Sequence, residues 1–178
     1  MNNNRHILWL DLETSGLDPT KHQILEVAWI LTDIFGEVLE EGSHVIQPSG
    51  ELAINAWALK QHTENGLLSD IMEEGASLGA VSAWIRAIIN DYLGDEKVYL
   101  GGNSVSFDRS FVEEHMELVA DILHYRNIDM TNFDQLLNAM GIQCGKGSSH
   151  RAKSDIEYSL HLYIQMCNAA SEYFSLDV

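Results

Sequence analysis

The chain opens on an apolar run, His6-Ile7-Leu8-Trp9-Leu10-Asp11, too short for an amphipathic helix. A run of this kind suits a central strand buried on both faces. Gly16 and Asp18-Pro19 end it with turn chemistry. Two β-rich runs follow, Ile24 to Thr32 and Glu37 to Gln47, and the joining Asp33-Ile34-Phe35-Gly36 predicts a hairpin. From Asn55 to Met72 the pattern predicts two short helices separated near Thr63. Leu78, Val81, Ile85, Ile88, Ile89 and Tyr92 then recur at helical spacing and mark a longer amphipathic helix.

Val98-Tyr99-Leu100 predicts another strand, ended by Gly101-Gly102. A helix is expected from about Asp108, broken or kinked before Tyr125, and then a short strand over Asn127 to Met130. Asp134 to Met140 is helical in pattern, and Gly141 stops it. The loop Gly145 to Ser149 leads to a final helix from about Ala152, with Ile156, Leu160, Tyr163, Ile164 and Cys167 on one face. Three leading strands followed by alternating helices and strands imply an α/β fold, a mixed sheet flanked by helices. The 178 residues suit one domain, with 1–5 and 168–178 peripheral.

Composition narrows the class. An apolar fraction of 46% argues for a packed globular protein. No apolar stretch approaches the roughly 18 residues of a membrane span. The N-terminus runs into the first strand without a signal-peptide pattern, so a cytoplasmic protein is expected. Cys144 and Cys167 are too few for a disulfide framework and form no C-x-x-C motif. Gly141-x-x-x-Gly145-Lys146-Gly147 lacks the spacing, the Ser or Thr after lysine and the preceding strand of a P-loop, which excludes nucleotide triphosphatase chemistry on that motif.

The candidate chemistry lies in three short motifs. Asp11 and Glu13 are two apart on the first strand, so both side chains leave one face and can converge on one cation. Asn103-Ser104-Val105-Ser106-Phe107-Asp108 follows the strand at Val98 and is completed by Phe111. His150 and Asp155 stand at the mouth and first turn of the last helix. Carboxylates alone are hard ligands for Mg²⁺ or Mn²⁺, and a histidine beside them can take a proton from water. Singly, each motif has a bland reading as a turn, a helix start or a solvated loop. Their order together points to metal-assisted phosphodiester hydrolysis.

That order and its local sequence resemble the DEDDh family of 3′-to-5′ exonucleases, and within it the oligoribonucleases most. The resemblance covers most of Leu8 to Gln165. It implies a ribonuclease H-like fold with a five-stranded mixed sheet. It also implies two Mg²⁺ or Mn²⁺ ions held by Asp11, Glu13, Asp108 and Asp155, with His150 as the base. Weaker resemblances concern substrate. Leu17 matches a residue that wedges between bases; Trp57 and His62 match aromatic and histidine contacts. Ser104, Tyr125 and Arg126 match elements that cap a 5′ phosphate, the Tyr-Arg part from the partner of a homodimer. Thr14-Ser15 and Phe107 lean instead towards proofreading subunits and ribonuclease T, which keeps longer DNA or RNA 3′ ends open as the alternative substrate.

Charge bears on this choice. Ten basic against 27 acidic residues leave a net −17. Long nucleic acids are gripped by many Lys and Arg contacts, so a tracking groove is not expected. A short RNA or DNA oligonucleotide needs none. Arg109, Lys146, Arg151 and Lys153 flank the motifs and are expected to help hold its phosphates, while Gly16 is expected to let backbone approach substrate.

Overall fold

The computed structural model describes residues 5–142 and 150–174. Cys144, Lys146 and the loop 145–149 lie outside them. The elements run β1 (His6–Thr14), β2 (Ile24–Asp33), β3 (Val38–Val45), α1 (Ala56–Glu64), α2 (Leu67–Glu74), α3 (Leu78–Leu93), β4 (Val98–Gly102), α4 (Val105–His115), α5 (Glu117–Ala120), β5 (Leu123–Asp129), α6 (Thr131–Ala139) and α7 (Ala152–Phe174). The expected five-stranded sheet is present, in the order β3-β2-β1-β4-β5. β1 pairs antiparallel with β2 and parallel with β4, β2 pairs antiparallel with β3, and β4 pairs parallel with β5. The sheet is therefore mixed, with the apolar β1 at its centre, between β2 and β4.

Strand periodicity sorts β1 between two cores. Leu8, Leu10 and Leu12 pack with Val81, Ile85 and Ile89 of α3 and Phe111 and Val112 of α4. Ile7 and Trp9 face the other way, onto Ala152, Ile156, Leu160 and Tyr163 of α7. Trp9 anchors that side: its indole Nε1 donates to Thr32 Oγ1 at 3.0 Å, and its ring lies 5.0 Å from Tyr163. Asp11 and Glu13 continue the α7-facing series, which is what places them at a site rather than in a turn.

Several boundaries differ from expectation. The break between α1 and α2 falls at Asn65-Gly66 rather than near Thr63, because Gly66 adopts φ 83 and turns the chain there. α4 begins at Val105, so Asp108 lies within its first turn and does not cap it. β5 begins at Leu123 rather than Asn127, so His124, Tyr125 and Arg126 lie on an edge strand.

Candidate active site

β1 outruns β4. Their pairing ends at Trp9 opposite Gly101, and the chain diverges at Gly102, where a Cβ would meet the Leu10 carbonyl at 2.9 Å. Beyond that point the β4 side of β1 is open to side chains. Asp108 enters there from α4: it is 4% exposed, and its Oδ1 accepts the Leu12 N–H at 3.0 Å. The backbone between Asp11 and Glu13 is thereby fixed from the opposite face of the sheet.

On the α7 face, Asp11, Glu13 and Asp155 each offer a carboxylate oxygen, all within 4.8 Å of one another. Such crowding is costly without a cation. Burial, then the nearby charges of Glu26, Asp155 and Asp108, push the Glu13 carboxyl up to about 8, and Arg151 only partly offsets them. Three converging hard oxygens under mutual repulsion fit a divalent cation. Asp108 stands outside this trio but within Coulombic reach of Glu13.

His62, expected as a substrate contact, sits beside Glu13 and is buried in the chain alone. It is 0% exposed, its Nε2 lies 3.0 Å from the Thr14 carbonyl, and its Nδ1 is 3.9 Å from Glu13 Oε2. Burial pushes its pKa down, so the ring is neutral and holds the end of β1. Gly16 is reassigned. The space a Cβ would need is filled by the His22 ring at 2.3 Å, so the glycine serves a local close approach.

Asp155 reaches the carboxylate trio, with His150 just before it in the chain, through an anchor that the local sequence pattern does not show. Glu26 is 2% exposed on β2 and accepts from Arg151 Nε at 3.1 and 3.2 Å, Arg151 Nη2 at 2.9 Å and the Ala152 N–H at 3.0 Å. Arg151 Nη1 also donates to Asp70 Oδ2 at 2.9 Å. The arginine is thus committed to fastening the start of α7 onto β2 and α2. Arg109 is likewise committed, to Asn127, the His124 carbonyl and Glu113. The expectation that these two cations serve phosphate is corrected: each has buried or backbone partners of its own. Lys153 is more exposed and lies 3.9 Å from both Glu41 and Glu157.

His150 precedes this anchor with φ 44, and its ring meets Trp57 edge-on at 5.9 Å. Trp57 and Leu17 are 60% and 74% exposed, so neither is core. Large aromatic and aliphatic side chains left in water can pack on base faces. Ser104 is exposed with φ 51; its N–H donates to Thr131 Oγ1 at 2.6 Å and Asp129 Oδ1 at 3.2 Å. Tyr125, on the edge strand, stacks on His124 at 4.4 Å with the Arg126 guanidinium 5.2 Å from its ring.

The RNase_T family, described as exonuclease, matches residues 8–163. Oligoribonuclease of Legionella pneumophila (strain Corby) is 33% identical over 168 residues, 90% of each chain. Oligoribonuclease of Pseudomonas paraeruginosa is 32% identical over 167 residues, covering 90% of this chain and 93% of that protein. Among solved structures, E. coli exonuclease I in complex with a dT13 oligonucleotide superposes with a TM-score of 0.70 at 16% identity. That likeness covers 97% of this chain but only 42% of exonuclease I, and speaks for the fold alone. Among the described residues no helix is long and apolar enough to cross a membrane. With family, relatives and fold in agreement, the chain belongs to the exonuclease family and is a 3′-to-5′ exonuclease related to the oligoribonucleases.

Proposed function

We propose that this enzyme degrades very short oligonucleotides, dinucleotides foremost, releasing 5′-mononucleotides from the 3′ end. The carrying observation is the convergence of Asp11, Glu13 and Asp155 within 4.8 Å. These three and Asp108 would hold two Mg²⁺ or Mn²⁺ ions. Bound there, the ions supply the positive charge that the attacked phosphate and departing 3′ oxygen need.

The protein's own groups do the rest. His150 takes the proton from the attacking water. Asp108 keeps the Leu12 N–H, and with it the strand between the two β1 ligands, in register. The neutral His62 packs behind Glu13 and holds the Thr14 carbonyl. Leu17 and Trp57 offer apolar surface to the bases. Ser104 with Tyr125 and Arg126 caps the 5′ phosphate, the latter two from the partner of a homodimer through the exposed β5 edge.

Two features favour a short substrate. The net charge of −17 repels a long polyanion. Arg109 and Arg151 are tied to protein acceptors and so form no phosphate track. A cytoplasmic site of action belongs to the same reading. Incubating a 5′-phosphorylated dinucleotide with the protein and Mn²⁺ should release 5′-mononucleotides, and the Asp11→Ala protein should release none. Wild-type turnover by a pure Asp11→Ala preparation would refute the mechanism.

A further inference from the structure

We infer that Asn65, with the Glu26–Arg151–Asp70 cluster, clamps the backbone of His150 and so aims its imidazole; the inference rests on His150 acting as the base. His150 is one of two non-glycine residues with positive φ among those described, the other being Ser104. A left-handed backbone costs a residue with a Cβ about 1–2 kcal/mol, and it persists only where its surroundings impose it.

Two restraints act on the chain just after the His150 Cα. Asn65 Nδ2 donates to the His150 carbonyl at 2.6 Å, across 85 residues of sequence. Asn65 is itself fixed at the corner between α1 and α2: its N–H donates to the Gln61 carbonyl, and its Oδ1 accepts the Leu67 N–H at 3.1 Å. One residue after His150, Arg151 is locked to Glu26 and Asp70. The carbonyl of His150 and the residue after it are therefore both held, which fixes the peptide plane that follows its Cα, and the left-handed φ before that plane sets where the ring leaves the backbone.

The clamp also couples two parts of the site. Asn65 caps the C-terminus of α1, and Trp57, which meets the His150 ring, lies at the start of the same helix. Trp57 and the Asn65 amide that holds the His150 carbonyl thus stand at the two ends of one helix. Asn65 is a positioning residue, acting through His150.

The discriminating variant is Asn65→Asp. It keeps the oxygen that accepts from Leu67 but removes the donor to His150, and leaves two oxygens facing each other. In the full-length protein with Mn²⁺ and a 5′-phosphorylated dinucleotide, kcat should fall by roughly 10- to 100-fold, the scale of an ångström-level misplacement. KM and Mn²⁺ affinity should stay within about twofold. In a His150→Ala background the same change should have no further effect, because the group it positions is gone. A merely structural role would lower both backgrounds alike. Should Asn65→Asp not fold, Arg151→Lys, which keeps the charge but loses the fork, enters the same cycle. Full kcat, or equal losses in both backgrounds, overturns the clamp alone. A wild type that leaves the dinucleotide intact overturns the exonuclease reading, and the clamp with it.

Discussion

Glu13→Gln should make the metal-stripped protein more stable, by an amount that pH controls. Glu13 has 12% of its side chain exposed, and its carboxyl is raised from 4.5 to about 8 by burial first and then by Glu26, Asp155 and Asp108. Between those pH values the folded chain holds a proton that the unfolded chain has lost. Stability therefore falls as pH rises from about 4.5 to about 8, and levels off above. At about 1.4 kcal/mol per pH unit the cost is on the order of 3 kcal/mol at pH 7 and 5 kcal/mol above pH 8. That is a large part of the roughly 5–15 kcal/mol that holds a domain folded. Glutamine has the shape of the protonated acid and titrates nowhere, so it escapes the cost. Urea unfolding in EDTA at pH 5, 7 and 9 reads the difference directly. The two proteins should be close at pH 5, with Glu13→Gln ahead by a widening margin to pH 9. Saturating Mn²⁺ should reverse the order, because only the wild type keeps its ligand. A wild type whose stability relative to Glu13→Gln is flat or rising from pH 5 to 9 would refute the electrostatic account.

His150→Ala should keep Mn²⁺ affinity, measured by titration calorimetry, and lose roughly 10²–10⁴ in kcat; unchanged kcat would remove it from the chemistry. Arg151→Ala leaves the buried Glu26 with the Ala152 N–H but without its countercharge. It should cost about 3–5 kcal/mol in urea unfolding at pH 7, and a loss below about 1 kcal/mol would show the pair to be incidental. Arg126→Ala should weaken binding of a dinucleotide bearing a 5′ phosphate and spare one lacking it; equal affinities for both in this variant and in the wild type would refute the cap.

Much of this was legible because strand period and helix period are strict. The alternation in β1 alone puts Asp11 and Glu13 on one face, and the stripe Ile156, Leu160 and Tyr163 says that α7 covers a core. The role of Asp108 depends on β4 parting from β1, a tertiary event that local pattern does not encode. The burial of His62 has a local signal: Ala58 and His62, four apart, are the two buried residues of α1 and share its inner face. Glu26 also left a signal, a lone carboxylate in the otherwise apolar Ile24-Leu25-Glu26-Val27-Ala28-Trp29, where burial demands a partner. Which cation supplies it cannot be read locally, since Arg151 lies 125 residues away. The pattern predicts β5 only from Asn127 because an edge strand lacks the burial that makes alternation visible: only Leu123 of its seven residues is buried.

The central claim is tested most directly by Mn²⁺-dependent hydrolysis of 5′-phosphorylated RNA and DNA from two to seven nucleotides, side by side. The account expects a rate peaking at two and falling with length, with the RNA-to-DNA ratio naming the sugar. Rates flat or rising with length would contradict it, and would recast Leu17, Trp57 and Arg126 as contacts of an enzyme that trims longer 3′ ends.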